Sequence, residues 1–249
     1  MNIQLLRKAM VLAAVIQLSV LAGIRTVSAQ EPPLTPPPPI SAEMLDRHTF
    51  RVSPPEKIAP GQYRIGGINI NKTDKTLSFP AFINMEKGLL EYLLVRNAGK
   101  THESLLRTAV EPYNLQVASL LLGLEGTAVP LTFQGSPEIP KGDPVEITIQ
   151  FDGKDSKKVT VKPEEWIIQV VDGVKKDIPP VRWVFSGSVV HNGRFAAQVD
   201  GSIISVFHDP VAMIDNTSPG GESDKIWFVK EGVVPAVGTP VTVIIKSLK

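Results

Sequence analysis

The chain of 249 residues contains no cysteine. That excludes disulfides, thiolate-ligated metals, iron–sulfur clusters and a cysteine nucleophile. It also excludes a lipid carried on an N-terminal cysteine. Charge of one sign is missing too: 26 basic side chains face 25 acidic ones. A balance so near neutral gives no electrostatic case for a nucleic-acid partner or for an anionic membrane surface. Beyond residue 24 there is no long apolar run. Leu115–Leu124 is the most apolar stretch, and its length suits a core helix rather than a membrane span. No internal repeat survives comparison residue by residue. With no disulfide to staple it, the fold must rest on its apolar core, and 43% hydrophobic residues supply the material.

What the chain does have begins at its N-terminus. Arg7 and Lys8 precede an uncharged run from Ala9 to Gly23, and Val27-Ser28-Ala29 follows with small residues at the two positions a signal peptidase accepts. This is the layout of a secretory signal peptide over residues 1–29. This run of 15 residues, diluted by Gln17 and Ser19, is short of the roughly 20 apolar residues needed to cross a bilayer, so a cleaved leader is expected over an uncleaved anchor. Cleavage after Ala29 removes Arg7, Lys8 and Arg25 and leaves 23 basic against 25 acidic side chains, a net charge of −2. The expected location is periplasmic or extracellular, with membrane attachment only if the leader stays on.

Residues 30–59 read as a proline-rich linker. The string EPPLTPPPPI favours an extended, polyproline-like spacer, and Ser41–His48 has the pattern of one or two helical turns. From residue 60 the signals are those of short strands. Asn71–Lys75 is a turn. The run Thr76–Met85 and the run Leu89–Arg96 flank Glu86-Lys87-Gly88 and are expected to pair as a hairpin. Asn97–Thr101 is a further turn. Pro112 opens a helix that Gly123 closes, and leucines on most sides predict its burial. Val145–Phe151 alternates, with Val145, Ile147, Ile149 and Phe151 on one face. Asp172-Gly173, Asn192-Gly193 and Asp200-Gly201 are hairpin dipeptides, and Asp209 with Pro210 suits the start of one helical turn. The expected fold class is α+β: predominantly antiparallel β-sheet with one buried helix near residues 112–123. The sequential hairpins allow a subdomain boundary near residue 140.

The string FPAFINMEKGLLEYLLVRNAGKTHESLL, the helix ending in LLLG, and then WVFSGS, DGSIISVFHDPVAMID and PAVGTPVTVII resemble the YdjY-domain family. The resemblance covers roughly Tyr63 to Lys249. It implies a domain type over residues 60–249 and an exported or envelope compartment, and it carries no mechanism with it. Some relatives are labelled ferredoxin-like, and a chain without cysteine has no ligands for such a cluster.

Two clusters hold the chemistry-bearing residues. Lys100, His102, Glu103 and Ser104 lie in one loop, where a histidine moves protons near neutral pH and a carboxylate orients it or binds a cation. Turns gather such residues anyway, so a binding or structural role is expected ahead of catalysis. Asp200, His208, Asp209 and Asp215 form the second cluster. Together with His102 and Glu103 they would offer oxygen and imidazole ligands, but no recognised metal spacing is present, and no metal or other cofactor is expected. Asp200 reads equally well as a turn residue and Asp209 as a helix cap. Ser186-Gly187-Ser188 lacks the strand–turn–helix setting of a hydrolase nucleophile. Trp166, Trp183 and Trp227 suit core packing better than sugar stacking. The leading expectation is a non-catalytic binding module for an envelope protein or a small ligand. The alternative is a metal-assisted hydrolase that uses His102 and Glu103 with His208 or Asp209.

Overall fold

Side-chain alternation builds the longest strands. In Thr76–Ile83 the residues Leu77, Phe79, Ala81 and Ile83 are buried while those between them are more open. Asp143–Asp152 buries Val145, Ile147 and Ile149 in the same rhythm, and Pro240–Ser247 buries Val241, Val243 and Ile245. These three lie side by side, so their apolar faces form one wall of the core. The computed structural model describes residues 53–249. The leader, most of the proline-rich segment and the expected turns of Ser41–His48 lie outside the described residues.

The described strands, in chain order, begin with β1 (Glu56–Ala59), β2 (Gln62–Ile65), β3 (Ile68–Asn71), β4 (Thr76–Ile83), β5 (Tyr92–Arg96) and β6 (Ser104–Thr108). They continue with β7 (Asp143–Asp152), β8 (Lys158–Val161), β9 (Ile167–Val171), β10 (Val174–Asp177), β11 (Trp183–Phe185) and β12 (Val190–His191). The last are β13 (Arg194–Phe195), β14 (Ser202–Ser205), β15 (Ile214–Asn216), β16 (Trp227–Val229) and β17 (Pro240–Ser247). Two helices, α1 (Pro112–Leu121) and α2 (Ala196–Asp200), interrupt them.

The main sheet runs β4–β17–β7–β11–β15–β14–β5–β6, and β6 pairs back onto β4. Eight strands therefore close into a barrel, which removes their exposed edges. The architecture is β-rich and mostly antiparallel, as expected, but closed rather than an open sheet. Two of the eight pairings, β5–β6 and β14–β15, are parallel. The long strands make closure possible. The first half of β4 pairs with β3 and its end with β6, and the start of β7 pairs with β11 while its end pairs with β8. Strands from before and after residue 140 interleave around this one barrel. Beside it lie a three-stranded sheet, β10–β9–β16, and the β12–β13 hairpin.

Several local expectations need correction. The runs flanking Glu86-Lys87-Gly88 do not pair with each other: β4 joins β17 and β6, and β5 joins β6 and β14. The last residues of the proline-rich segment form the edge strand β1. Helix α1 starts at Pro112 and is followed by Gly123 at φ +85°, as its sequence signals, but it is buried on one side only. Leu115, Ala118 and Ser119 are buried whereas Leu120 is 51% exposed. Asp200-Gly201 is not a hairpin turn. Residues 196–200 are helical, and Gly201 at φ +76° is the left-handed residue that ends the helix. Its backbone also lies close against Gly99, where a side chain on either would collide. Residues 209–213 form a turn rather than a helix, in which Asp209 Oδ1 accepts from the Val211 amide at 2.9 Å. All three tryptophans are core residues, exposed by 2% or less.

Candidate functional site

The barrel pairing brings four polar residues into register. Ser104 on β6 is opposite Tyr92 on β5, Tyr92 opposite Ser205 on β14, and Ser205 opposite Asp215 on β15. Each of the four is completely shielded from water. Buried polar groups need partners, and a single hydrogen-bonded network supplies most of them. Lys100 Nζ donates to Tyr92 Oη at 2.7 Å, and Tyr92 Oη donates to Asp209 Oδ2 at 2.7 Å. The Asp209 amide donates to Asp215 Oδ1 at 3.1 Å. Asp215 also accepts from Ser205 Oγ at 2.5 Å and from Ser186 Oγ at 3.0 Å. Ser104 Oγ donates to the Leu106 carbonyl at 2.7 Å. Along this path from Lys100 to Asp215, the Tyr92–Asp209 bond is the one that joins segments far apart in sequence.

Electrostatics follow from this burial. Desolvation pushes the Asp215 carboxyl up to about 7, against the three hydrogen bonds that favour its charged form. Desolvation, and next the Asp209 carboxylate, push the Tyr92 phenol above its ordinary range, so Tyr92 remains a donor. Glu91 is raised by partial burial first and by the neighbouring Glu103 carboxyl second, while Lys100 opposes both. Gln134 Nε2 links the two parts, at 3.2 Å from Glu91 Oε2 and 3.3 Å from Tyr92 Oη.

The residues singled out in the sequence therefore separate into groups. Lys100 and Asp209 meet on Tyr92, and His208 adjoins them in the chain. His208 Nδ1 lies 2.8 Å from the Ser136 carbonyl, which makes it the protonated nitrogen. Its Nε2 is buried with no partner, against Gly221, where any side chain would overlap the ring. Glu103 joins Glu91 at the rim of the network. His102 is 78% exposed at its side chain and reaches only Glu103, at 3.5 Å. Asp200 is exposed at the end of α2 and is not part of the network. No hydrogen bond or ion pair joins His102 or Glu103 to His208 or Asp209 among the described residues, and there no three His, Asp or Glu side chains converge as a metal-binding group. Tyr92 and Ser205 were not visible as site residues in the sequence; the only cue is a phenol in an otherwise apolar strand.

An open concavity lies elsewhere. A cleft of about 530 Å³ lies where the starts of β7 and β11 meet Leu248. Val145, Ile147, Val181, Val184 and Leu248 make it mainly apolar, and Trp183 forms part of its wall. At its mouth Lys162 Nζ pairs with Glu146 Oε1 at 2.9 Å. Glu164 also lines it. One Glu164 oxygen accepts from the Val181 amide at 2.9 Å, whereas Oε2 is buried without a partner, as is Trp183 Nε1. None of these residues carries a sequence motif.

A closed barrel of mixed pairing, cross-linked by a buried hydroxyl–carboxyl network and indented by an apolar cleft, defines the class of domain. The chain belongs to the YdjY family: the model for the YdjY domain matches residues 68–246, from β3 to the end of β17. No curated protein and no solved structure matches the chain.

Proposed function

We propose that this protein is an exported, non-catalytic binding module whose ligand is a small molecule held in the apolar cleft. One observation carries the reading. Tyr92, Asp209 and Asp215 are enclosed and bonded into one network, His102 stands exposed with Glu103 in reach, and the cleft is lined mainly by apolar side chains. A general base must reach the proton it takes. Tyr92, Asp209 and Asp215 are 2% exposed or less, and their hydrogen bonds run along the barrel seam. Ligand cavities, by contrast, are commonly about 300–1,000 Å³ and apolar with few polar groups. No described helix is long and apolar enough to cross a membrane.

The test uses 8-anilinonaphthalene-1-sulfonate as a generic apolar probe. The folded chain should bind it saturably, and Val184→Glu should weaken binding at least tenfold while the circular dichroism spectrum is retained. Unchanged binding in that variant would move the ligand site elsewhere. Turnover of p-nitrophenyl acetate that disappears in Glu103→Gln would instead favour the hydrolase alternative. For export, N-terminal sequencing of the processed protein should begin at Gln30, and a start at Met1 in the membrane fraction would replace secretion by anchoring.

A further inference from the structure

The polar groups of the cleft are not scattered. Glu164 is fastened to the backbone of Val181, and the next two residues along the chain are Arg182 and Trp183. All four line the cavity. The lining of an apolar cleft thus includes a guanidinium together with a shielded carboxylate oxygen and a shielded indole N–H that have no partner. Arg182 is exposed, and its side chain makes no ion pair or hydrogen bond among the described residues. Lys162 and Glu146, the other two charged lining residues named above, already neutralise each other at 2.9 Å. The lining therefore includes one carboxylate, Glu164, and one guanidinium, Arg182, that form no ion pair among the described residues, with apolar side chains around them.

Burying a polar atom without a partner costs about 1–3 kcal/mol. A ligand that parts the contacts shielding Glu164 Oε2 and supplies a donor relieves that penalty. A purely apolar ligand does not, and a simple anion adds repulsion from Glu164. A simple cation meets Arg182 in the same way. The complementary ligand carries both charges at one end and an apolar body at the other. Building on the reading of the cleft as the ligand site, we infer that it takes a small apolar zwitterion of the amino-acid or dipeptide class. The ammonium faces Glu164, the carboxylate faces Arg182 with the Trp183 N–H beside it, and the aliphatic side chains lie on Val145, Ile147 and Leu248. A volume of about 530 Å³ has room for a dipeptide.

Calorimetric titration of the full chain with L-leucyl-L-leucine tests this. Saturable binding is expected. N-acetyl-leucyl-leucine, which lacks the ammonium, and leucyl-leucinamide, which lacks the carboxylate, should each bind at least tenfold more weakly. Arg182→Met should weaken the dipeptide at least tenfold and should not weaken the amide. Glu164→Gln should weaken the dipeptide and should not weaken the acetylated form. If Glu164→Gln does not fold, the blocked ligands decide the question on the unaltered chain. Equal affinity for free and blocked forms would overturn the zwitterion and leave the apolar binding module standing. Absence of binding by all three, with 8-anilinonaphthalene-1-sulfonate still bound at the cleft, would do the same. If the probe does not bind there either, both readings fall.

Discussion

Asp215 is a carboxyl withdrawn entirely from water. It is fully enclosed, and its carboxyl is raised from 3.8 to about 7 chiefly by desolvation. The consequence for stability has a definite sign. Between those two values the unfolded chain has lost the proton and the folded chain keeps it, so the folded state binds more protons. Stability then falls as pH rises from about 4 to about 7. The penalty is fully present above that window and absent below it, and it amounts to a few kcal/mol, on the order of 1.4 per pKa unit. Urea unfolding across this range should show the decline. Asp215→Asn should flatten it, since an amide does not titrate. A slope unchanged in that variant would assign the dependence to another group. The neighbouring link separates two kinds of contact. Tyr92→Phe strands the buried Asp209 Oδ2 and should destabilise the fold by about 2–3 kcal/mol. Lys100→Met removes only a half-buried donor to the same phenol and should cost less than about 1 kcal/mol. Comparable losses in the two variants would mean that Lys100, not the phenol, holds the seam together.

At the scale of elements, what the sequence makes legible is what depends on near neighbours. The alternation in Val145–Phe151 announces β7, Asp172-Gly173 turns β9 into β10, and Pro112 with Gly123 brackets α1. Each is a local preference that the fold leaves in place. The partners of β4 and β5 were not legible. The turn Glu86-Lys87-Gly88 has hairpin composition, but both flanking strands gain more by burying themselves in the barrel between distant strands. Asp200-Gly201 misled for a different reason: a left-handed glycine serves a hairpin and a helix C-terminus equally, and only the preceding residues choose between them. The candidate site divides in the same way. Lys100 and Asp209 stand out as charges beside strand ends, yet Tyr92 joins them only through the barrel register. The cleft draws its walls from residues 139–248 and leaves no mark in any short window. The loop carrying Gly221 illustrates how tightly such distant elements meet. Its carbonyl accepts from the His208 amide at 2.7 Å, and its Cα side faces the imidazole. Gly221→Ala inserts a methyl into that contact and should destabilise by about 1–3 kcal/mol, read as a lowered urea midpoint at unchanged slope. The Gly193→Ala control sits in the β12–β13 turn with open space around it, so any loss there reflects its positive φ and not packing. Equal stability of Gly221→Ala and the unaltered chain would show that the loop can withdraw from His208.

The whole molecule is closed by its last strand. β17 pairs with β4 along one side and with β7 along the other, and Val243, between Phe79 and Ile149, has no exposure at all. Without it β4 and β7 would present two unpaired edges and a cut through the core, the condition under which strands associate between chains. The same segment also builds the cleft: beyond β17 the Leu248 amide donates to the Pro144 carbonyl at 3.0 Å, and its side chain forms part of the wall. Barrel closure and formation of the cleft are therefore one structural event, and on the proposed reading a ligand that binds only the closed form stabilises it by RT ln(1 + [L]/Kd). One truncation and one substitution separate the two roles. Removal of residues 240–249 should abolish cooperative unfolding and give aggregates on size-exclusion chromatography. Replacing Leu248 by serine keeps every backbone pairing of β17, so the barrel should unfold cooperatively with a loss of no more than about 1 kcal/mol. Its gain in melting temperature from a cleft ligand at a fixed concentration should nevertheless shrink, because the affinity entering the logarithm has dropped. A full ligand-dependent shift in Leu248→Ser would uncouple the cleft from the strand that completes the barrel.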